Sequence, residues 1–209
     1  MRALVLCDDA WHPAAMVQRG LDSLAGTRFD FEFNARGDQW SPTMMQEFPL
    51  VIVAKANHVC STDQNPWLTM ETQFAFDKYV RRGGGLFLIH GGTCYKDLPE
   101  MRGVTGGAFL HHPNQCLVTV EPVVGHALVE GVKPFVGWDE HYFTARDDLQ
   151  ADVFLHTRSI HGEQPAGWTR AEGDGRVCVL TPGHNEEIWL HPDFEKLLGN
   201  CLHWLAKEN

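Results

Sequence analysis

Short, fully apolar runs alternate with helical patterns in the first half of the chain, and this alternation restricts the fold more than any other feature. Residues 3–7, 50–54 and 86–89 contain no charged side chain, which is typical of strands covered on both faces. Helical spacing predicts one helix between Pro13 and Gly26, and a second from Asn65-Pro66 to the glycines at 83–85. Strands separated by helices of this length predict a parallel sheet with right-handed crossovers.

The second half of the chain has a different pattern, in which short strand candidates are separated by Gly or Pro. These candidates lie at residues 117–120, 138–144, 153–157, 166–169 and 176–181. A C-terminal helix that begins near Pro192 carries one apolar stripe. We therefore predict an α/β fold, a doubly wound and mostly parallel sheet with extra antiparallel strands in the second half, in a single domain of residues 1–209.

Composition excludes several classes of protein. The 209 residues include 17 Lys and Arg against 27 Asp and Glu, so the net charge is −10 and no basic cluster suggests a nucleic-acid partner. No apolar stretch reaches bilayer length, the first residues enter a strand without a leader pattern, and the six cysteines are spread singly. We expect a cytoplasmic protein with no membrane contact, for which a homo-oligomer is compatible with the exposed aromatic residues.

Polar side chains follow the predicted strands where each strand ends. Ligands of open parallel sheets bind beyond the carboxyl ends of the strands, so these residues are expected to meet at one edge. The catalytic candidates are Asp9, His12, His90, Glu140, His141 and His184. The substrate-binding candidates are Lys55, Asn57, Gly91, Gly92, His112, Tyr142 and Asn185.

Two mechanisms are compatible with these residue types. In the first, His90, His141 and His184, joined by His12 or Glu140, hold a divalent metal such as zinc. In the second, which needs no cofactor, a histidine and the carboxylate of Asp9 or Glu140 exchange protons with the substrate. In that mechanism Lys55 or the backbone amides after His90 stabilise the developing negative charge.

The segment around His90 has the pattern of a nucleophile elbow, because a buried strand is followed by glycines. No Ser or Cys stands at the apex, and Cys94 comes later in the chain. A cysteine-dependent amidase that uses Cys94 is therefore a minor alternative.

Several motifs together resemble the ThuA-like trehalose-utilisation family. They are Leu6-Cys7-Asp8-Asp9 with Trp11-His12-Pro13, the elbow with His90, Gly106-Gly107 with His112-Pro113, Asp139-Glu140-His141-Tyr142, Gln164-Pro165-Ala166-Gly167-Trp168, and Pro182-Gly183-His184-Asn185 with Trp189 and His191-Pro192. The resemblance implies a class I glutamine amidotransferase-like, flavodoxin-like fold that lacks the amidotransferase triad, in agreement with the missing elbow cysteine.

The resemblance also implies a role in bacterial carbohydrate catabolism, on trehalose-type disaccharides or their 3-keto derivatives. The expected ligand is a small-molecule sugar, and a sugar oxidoreductase of the same pathway is the protein partner that the family suggests. A module that binds a sugar or that oxidoreductase without catalysis is the alternative from a different class.

Overall fold

The computed structural model describes residues 1–26 and 28–207. The strands in these residues are β1 (Arg2–Leu6), β2 (Asp30–Asn34), β3 (Leu50–Val53), β4 (Gly85–Ile89), β5 (Gly107–His111), β6 (Cys116–Pro122), β7 (Phe135–Asp139), β8 (Phe143–Arg146), β9 (Asp152–Ser159), β10 (Gly162–Glu172) and β11 (Gly175–Leu180). The α-helices are α1 (Ala14–Asp22), α2 (Pro42–Met45), α3 (Phe74–Arg81), α4 (Pro99–Thr105), α5 (Glu186–Trp189) and α6 (Pro192–Leu205).

A nine-stranded sheet forms the centre of the molecule, in the order β2-β1-β3-β4-β11-β10-β9-β6-β7. The strands from β2 to β11 in this order are parallel, and the pairings from β11 to β7 are antiparallel. Strands β5 and β8 form a separate antiparallel pair. The predicted α/β class, with antiparallel strands added in the second half, is confirmed.

The two faces of the sheet pack against different helices, as a doubly wound fold requires. Along β1, Val5 belongs to a core that includes side chains from α1 and α6, whereas Leu6 belongs to a core that includes side chains from α3 and α4. Because successive strand residues point to opposite faces, a strand covered on both sides is continuously apolar. This explains the uncharged runs of the sequence.

Two predicted elements have different bounds in the structure. The helix expected from Asn65 begins at Phe74, because the preceding loop is held by the Asn57 side chain, which bonds both backbone groups of Leu68. The strand expected at residues 138–144 ends at Asp139 and a new one begins at Phe143. The break between them carries Glu140 and Tyr142. Among the described residues, no helix combines the length and apolar character needed to cross a bilayer.

Candidate functional site

Four side chains from distant parts of the chain converge at one edge of the sheet. One potential ligand atom from each of His12, His90, Glu140 and His184 lies within 4.8 Å of all the others, and we call these residues the ligand cluster. They follow β1, β4, β7 and β11 respectively. Since β1, β4 and β11 are parallel and the successive antiparallel pairings return β7 to the same direction, all four strands end at this edge.

Asp9 fixes the orientation of His12. Its buried carboxylate accepts hydrogen bonds from the backbone N–H groups of Trp11 (2.8 Å), His12 (3.0 Å) and Ala56 (2.6 Å) and contacts His12 Nδ1 at 2.7 Å. Burial raises the pKa of Asp9, but the bond with His12 and the backbone bonds outweigh it and lower the pKa to about 2. An ionised carboxylate only accepts, so Nδ1 carries a proton, which leaves Nε2 as the atom of His12 that a metal ion in the cluster would contact.

His90 presents a second lone pair, and this one has no partner. Its Nδ1 lies 2.6 Å from the carbonyl oxygen of Thr181, which can only accept, so the proton of the neutral ring is on Nδ1. Burial lowers the pKa of His90 to about 4, which keeps the ring neutral near pH 7. Nε2 is buried, makes no hydrogen bond among the described residues, and lies 3.4 Å from Oε2 of Glu140. The nitrogen of a neutral imidazole thus faces a carboxylate oxygen, and a cation bound between them would contact both atoms.

The backbone at His90 also marks this position as part of a functional site. Its φ of 45° lies in the left-handed region, which costs a side-chain-bearing residue roughly 1–2 kcal/mol. Residues held in such conformations cluster at functional sites, where the surrounding structure compensates for the strain.

Glu140 and His184 complete the cluster. Oε2 of Glu140 lies 3.2 Å from Nδ1 of His184, which in turn lies 3.3 Å from Nε2 of His12. Burial raises the pKa of Glu140, but the contacts with His184 and His90 outweigh it and hold the pKa well below its usual range. Burial likewise lowers the pKa of His184, but the contact with Glu140 outweighs it and raises that pKa. The other oxygen, Oε1, lies 3.4 Å from Nε2 of His112.

Asp139 positions the loop that carries His184. Its buried carboxylate accepts the backbone N–H groups of Gly183 (2.9 Å) and His184 (2.8 Å), and burial raises its pKa to about 6. Asp139 and the carbonyl of Thr181 support the cluster without belonging to it. Sequence analysis missed both roles, although Asp139 stands directly before Glu140.

The donor set can hold a divalent cation. Three imidazoles and one carboxylate, of which two imidazoles are oriented by an oxygen acceptor on the other ring nitrogen, suit zinc better than the oxygen-seeking Mg²⁺ or Ca²⁺. Glu140 and His184 are partly exposed, so the cluster is accessible to a small molecule.

His141, which sequence analysis offered as a metal ligand, lies outside the cluster. Its Nδ1 contacts Oγ of Ser159 at 2.7 Å, its ring packs against Phe143, and burial lowers its pKa. Of the three histidines in the predicted metal set, His90 and His184 belong to the cluster and His141 does not. His12 provides the third imidazole instead.

Two predicted substrate-binding residues make hydrogen bonds to the backbone of the loop that follows β3. Lys55 is 1% exposed, donates to the carbonyl of Val59 at 2.8 Å, and has a pKa lowered by burial. Asn57 bonds the backbone of Leu68 through both ends of its amide. Both side chains therefore help to hold this loop in its conformation.

The remaining substrate-binding candidates surround the cluster. Gly91 lies against His12, and an added Cβ would come within 2.8 Å of His12 Nδ1. The ring of Tyr142 stacks on His90 with centroids 4.0 Å apart. Asn185, next to His184, donates to Gln115 and to the carbonyl of Trp138. These residues shape the site, and His112 contacts it directly.

Cys94 has poor properties for a nucleophile. Burial raises the pKa of its thiol to about 12, so the reactive thiolate is absent near neutral pH. Its Sγ contacts the hydroxyl of Tyr142 at 3.8 Å, and no imidazole base is among its hydrogen-bond partners in the described part of the chain. This geometry does not favour a cysteine-dependent amidase.

Asp9→Asn is expected to weaken zinc binding about 10- to 100-fold, the usual effect of removing a partner behind a metal-binding histidine. The asparagine side chain has one acceptor oxygen, so its NH₂ group would face N–H groups that now donate to the second carboxylate oxygen. The tautomer of His12 would then no longer be fixed. A competition titration with a chromophoric chelator measures the change. Asp8→Asn is the matched control, because among the described residues Asp8 accepts hydrogen bonds from the backbone N–H groups of Ala14 and Ser61 and not from His12. Equal affinities in the two variants would contradict the orienting role of Asp9.

Solved structures support the fold assignment. The chain is similar to a ThuA-like protein from Bacteroides uniformis (19% identity, 100% of this chain and 92% of that chain, TM-score 0.75) and to one from Parabacteroides merdae (18%, 99% and 90%, 0.76). It is also similar to PurLQS from Thermotoga maritima (17%, 98% and 98%, 0.62). At these identities the likeness establishes the fold alone.

Family membership rests on the sequence itself. No curated protein matches the chain. The family model named ThuA, described as trehalose utilisation, matches residues 4–205. Because this match covers almost the whole sequence, the chain belongs to the ThuA family.

Proposed function

We propose that the chain is an enzyme of carbohydrate catabolism that acts on trehalose-type disaccharides or their 3-keto derivatives by metal-assisted acid–base chemistry at the ligand cluster. The sugar class follows from the family, whose description is trehalose utilisation. The geometry of His12, His90, Glu140 and His184 supports the metal part of the proposal.

The observation that carries the metal proposal is the unpartnered Nε2 of His90. A buried imidazole nitrogen without a hydrogen bond is costly, and one that also faces a carboxylate oxygen at 3.4 Å is more so. A cation placed among the four ligand atoms satisfies this nitrogen and the lone pair of His12 together. When bound, such an ion polarises a carbonyl or hydroxyl oxygen of the substrate.

His112 is the residue that we assign to proton exchange. Its Nδ1 lies 2.7 Å from the carbonyl oxygen of Pro113, so this nitrogen donates and Nε2 of the neutral ring can accept a proton. Its side chain is 35% exposed, and Nε2 lies on the open side of Glu140. In this position the imidazole can exchange a proton with a sugar hydroxyl or with the carbon beside a keto group.

Metal analysis of protein purified without a histidine tag tests the first half of the proposal. We expect one equivalent of a divalent transition metal, and stabilisation of the metal-free protein by about 4 kcal/mol when free zinc is a thousand times its Kd. Elemental analysis and thermal unfolding with and without zinc provide the two measurements. Substoichiometric metal together with an unchanged unfolding temperature would contradict a metal centre.

Turnover of 3-ketotrehalose, followed by NMR, tests the second half. Replacing His112 with Asn is expected to lower kcat by about 100-fold or more, the usual contribution of a general acid–base group, with zinc affinity retained. His111→Asn is the matched control, because His111 is the adjacent exposed residue and its ring stacks on Phe143. Unequal zinc affinities would indicate that His112 acts as a ligand instead. Sugar binding by the wild type without any conversion would favour the non-catalytic module.

A further inference from the structure

A groove lies beside the ligand cluster, on the side of His112. It has a volume of about 760 Å³, and its lining includes His112, Asn114, Gln115, Leu117, Trp138 and Ile160. Cavities of roughly 300–1,000 Å³ accommodate small-molecule ligands of more than one ring. The groove therefore has room for a part of the substrate that extends away from the cluster.

The groove and the cluster are joined through shared residues. His112 belongs to the groove lining and also faces Oε1 of Glu140 at 3.4 Å. Asn185, which follows His184, donates to Oε1 of Gln115 and to the carbonyl of Trp138, both at 2.9 Å. The groove and the cluster are therefore neighbours, with His112 at the boundary between them.

The chemistry of the lining is that of a sugar site. Trp138 is 48% exposed, and Leu117, its cross-strand neighbour in the β6–β7 pairing, is 61% exposed. These side chains provide an apolar surface for the C–H face of a pyranose ring. The Asn114 amide and Nε2 of Gln115 make no side-chain hydrogen bond to any described residue, so they are available to ring hydroxyls.

We propose that this groove is the subsite for the second ring of a disaccharide, whose first ring is held at the ligand cluster. The inference rests on the proposed function and deepens it, because it assigns the second ring of the disaccharide to a defined set of residues outside the cluster. Trp138 is then a specificity-determining residue, whereas His112 stands between the two rings.

Calorimetry with zinc-loaded protein tests the subsite, with trehalose and glucose as the probes. We expect the wild type to bind trehalose at least tenfold more tightly than glucose, and Trp138→Ala to remove this preference while zinc and glucose affinities stay unchanged. Trp11→Ala is the matched control, since Trp11 is an exposed indole beside His12 and outside the groove lining. That variant is expected to keep the ratio of the two affinities.

Two results would overturn the subsite. One is equal affinity of the wild type for both sugars, or binding of neither, and the other is an unchanged preference in Trp138→Ala. An unchanged preference together with a change of oligomeric state, measured by light scattering, would assign the exposed strand pair to a second copy of the chain. Failure of zinc to bind the wild type would instead contradict the proposed metal centre, so the two failures are distinguishable.

Discussion

Replacing His90 with alanine is expected to weaken zinc binding by about a hundredfold or more, because zinc sites with four protein ligands provide roughly 10–16 kcal/mol in total and each ligand contributes about a quarter. The metal-free variant also loses the bond from Nδ1 to the carbonyl of Thr181 and the stacking on Tyr142, so we expect a fall in stability beside the loss of zinc affinity. Chelator competition measures the affinity, and urea unfolding of the metal-free proteins measures the stability.

His141→Ala is the control for this prediction, because His141 is also buried but contacts Ser159 and lies outside the cluster. Its zinc affinity should equal that of the wild type. If His141→Ala lost zinc as strongly as His90→Ala, the set of His90, His141 and His184 predicted from the sequence would be closer to the truth than the geometry of the cluster. If both variants bound zinc normally, neither set would hold the metal.

The location of the site was predictable, because it depends on a general property of parallel sheets. Uncharged strands followed by polar residues predicted that Asp9, His12, His90 and His184 would meet at one edge, and the structure brings the three histidines together. Neither the long-range order of the strands nor the side-chain contacts were needed for that prediction.

The direction of individual side chains was harder to predict. Glu140 and His141 are adjacent, and neighbouring residues in an extended chain point to opposite sides, so both could not face the same ion. Glu140 and Tyr142 face the cluster, whereas Asp139 bonds the loop at His184 and His141 contacts Ser159. The alternation alone does not determine whether Glu140 and Tyr142 or Asp139 and His141 face the cluster. The tertiary packing determines it.

The roles of Lys55 and Asn57 could not be predicted for another reason. Their partners, Val59 and Leu68, lie in a loop without regular secondary structure, and no periodic pattern indicates such contacts. A buried lysine at the end of a strand requires a hydrogen-bond acceptor, and in the structure its Nζ donates to the carbonyl of Val59.

Gly92→Ala is expected to destabilise the fold by about 3 kcal/mol or more, at the upper end of the cost of overpacking a core. An added Cβ would lie 2.0 Å from the carbonyl oxygen of Val53, at the end of β3. That oxygen belongs to the backbone and cannot rotate away, so the end of β3 and the turn after β4 would have to separate. For a chain of this length the unfolding temperature should fall by roughly 6–12 °C.

The same displacement should weaken zinc binding, because β3 leads into Ala56, whose N–H bonds the carboxylate that orients His12. Gly103→Ala is the matched control: it lies within α4, nothing is within 4 Å of its added Cβ, and alanine there should be neutral or stabilise by up to about 1 kcal/mol. Urea unfolding and zinc titration of both variants measure the two effects. If Gly92→Ala had wild-type stability, the ends of β3 and β4 could move apart at no cost. The close spacing of these strands would then not be what positions His12 and His90.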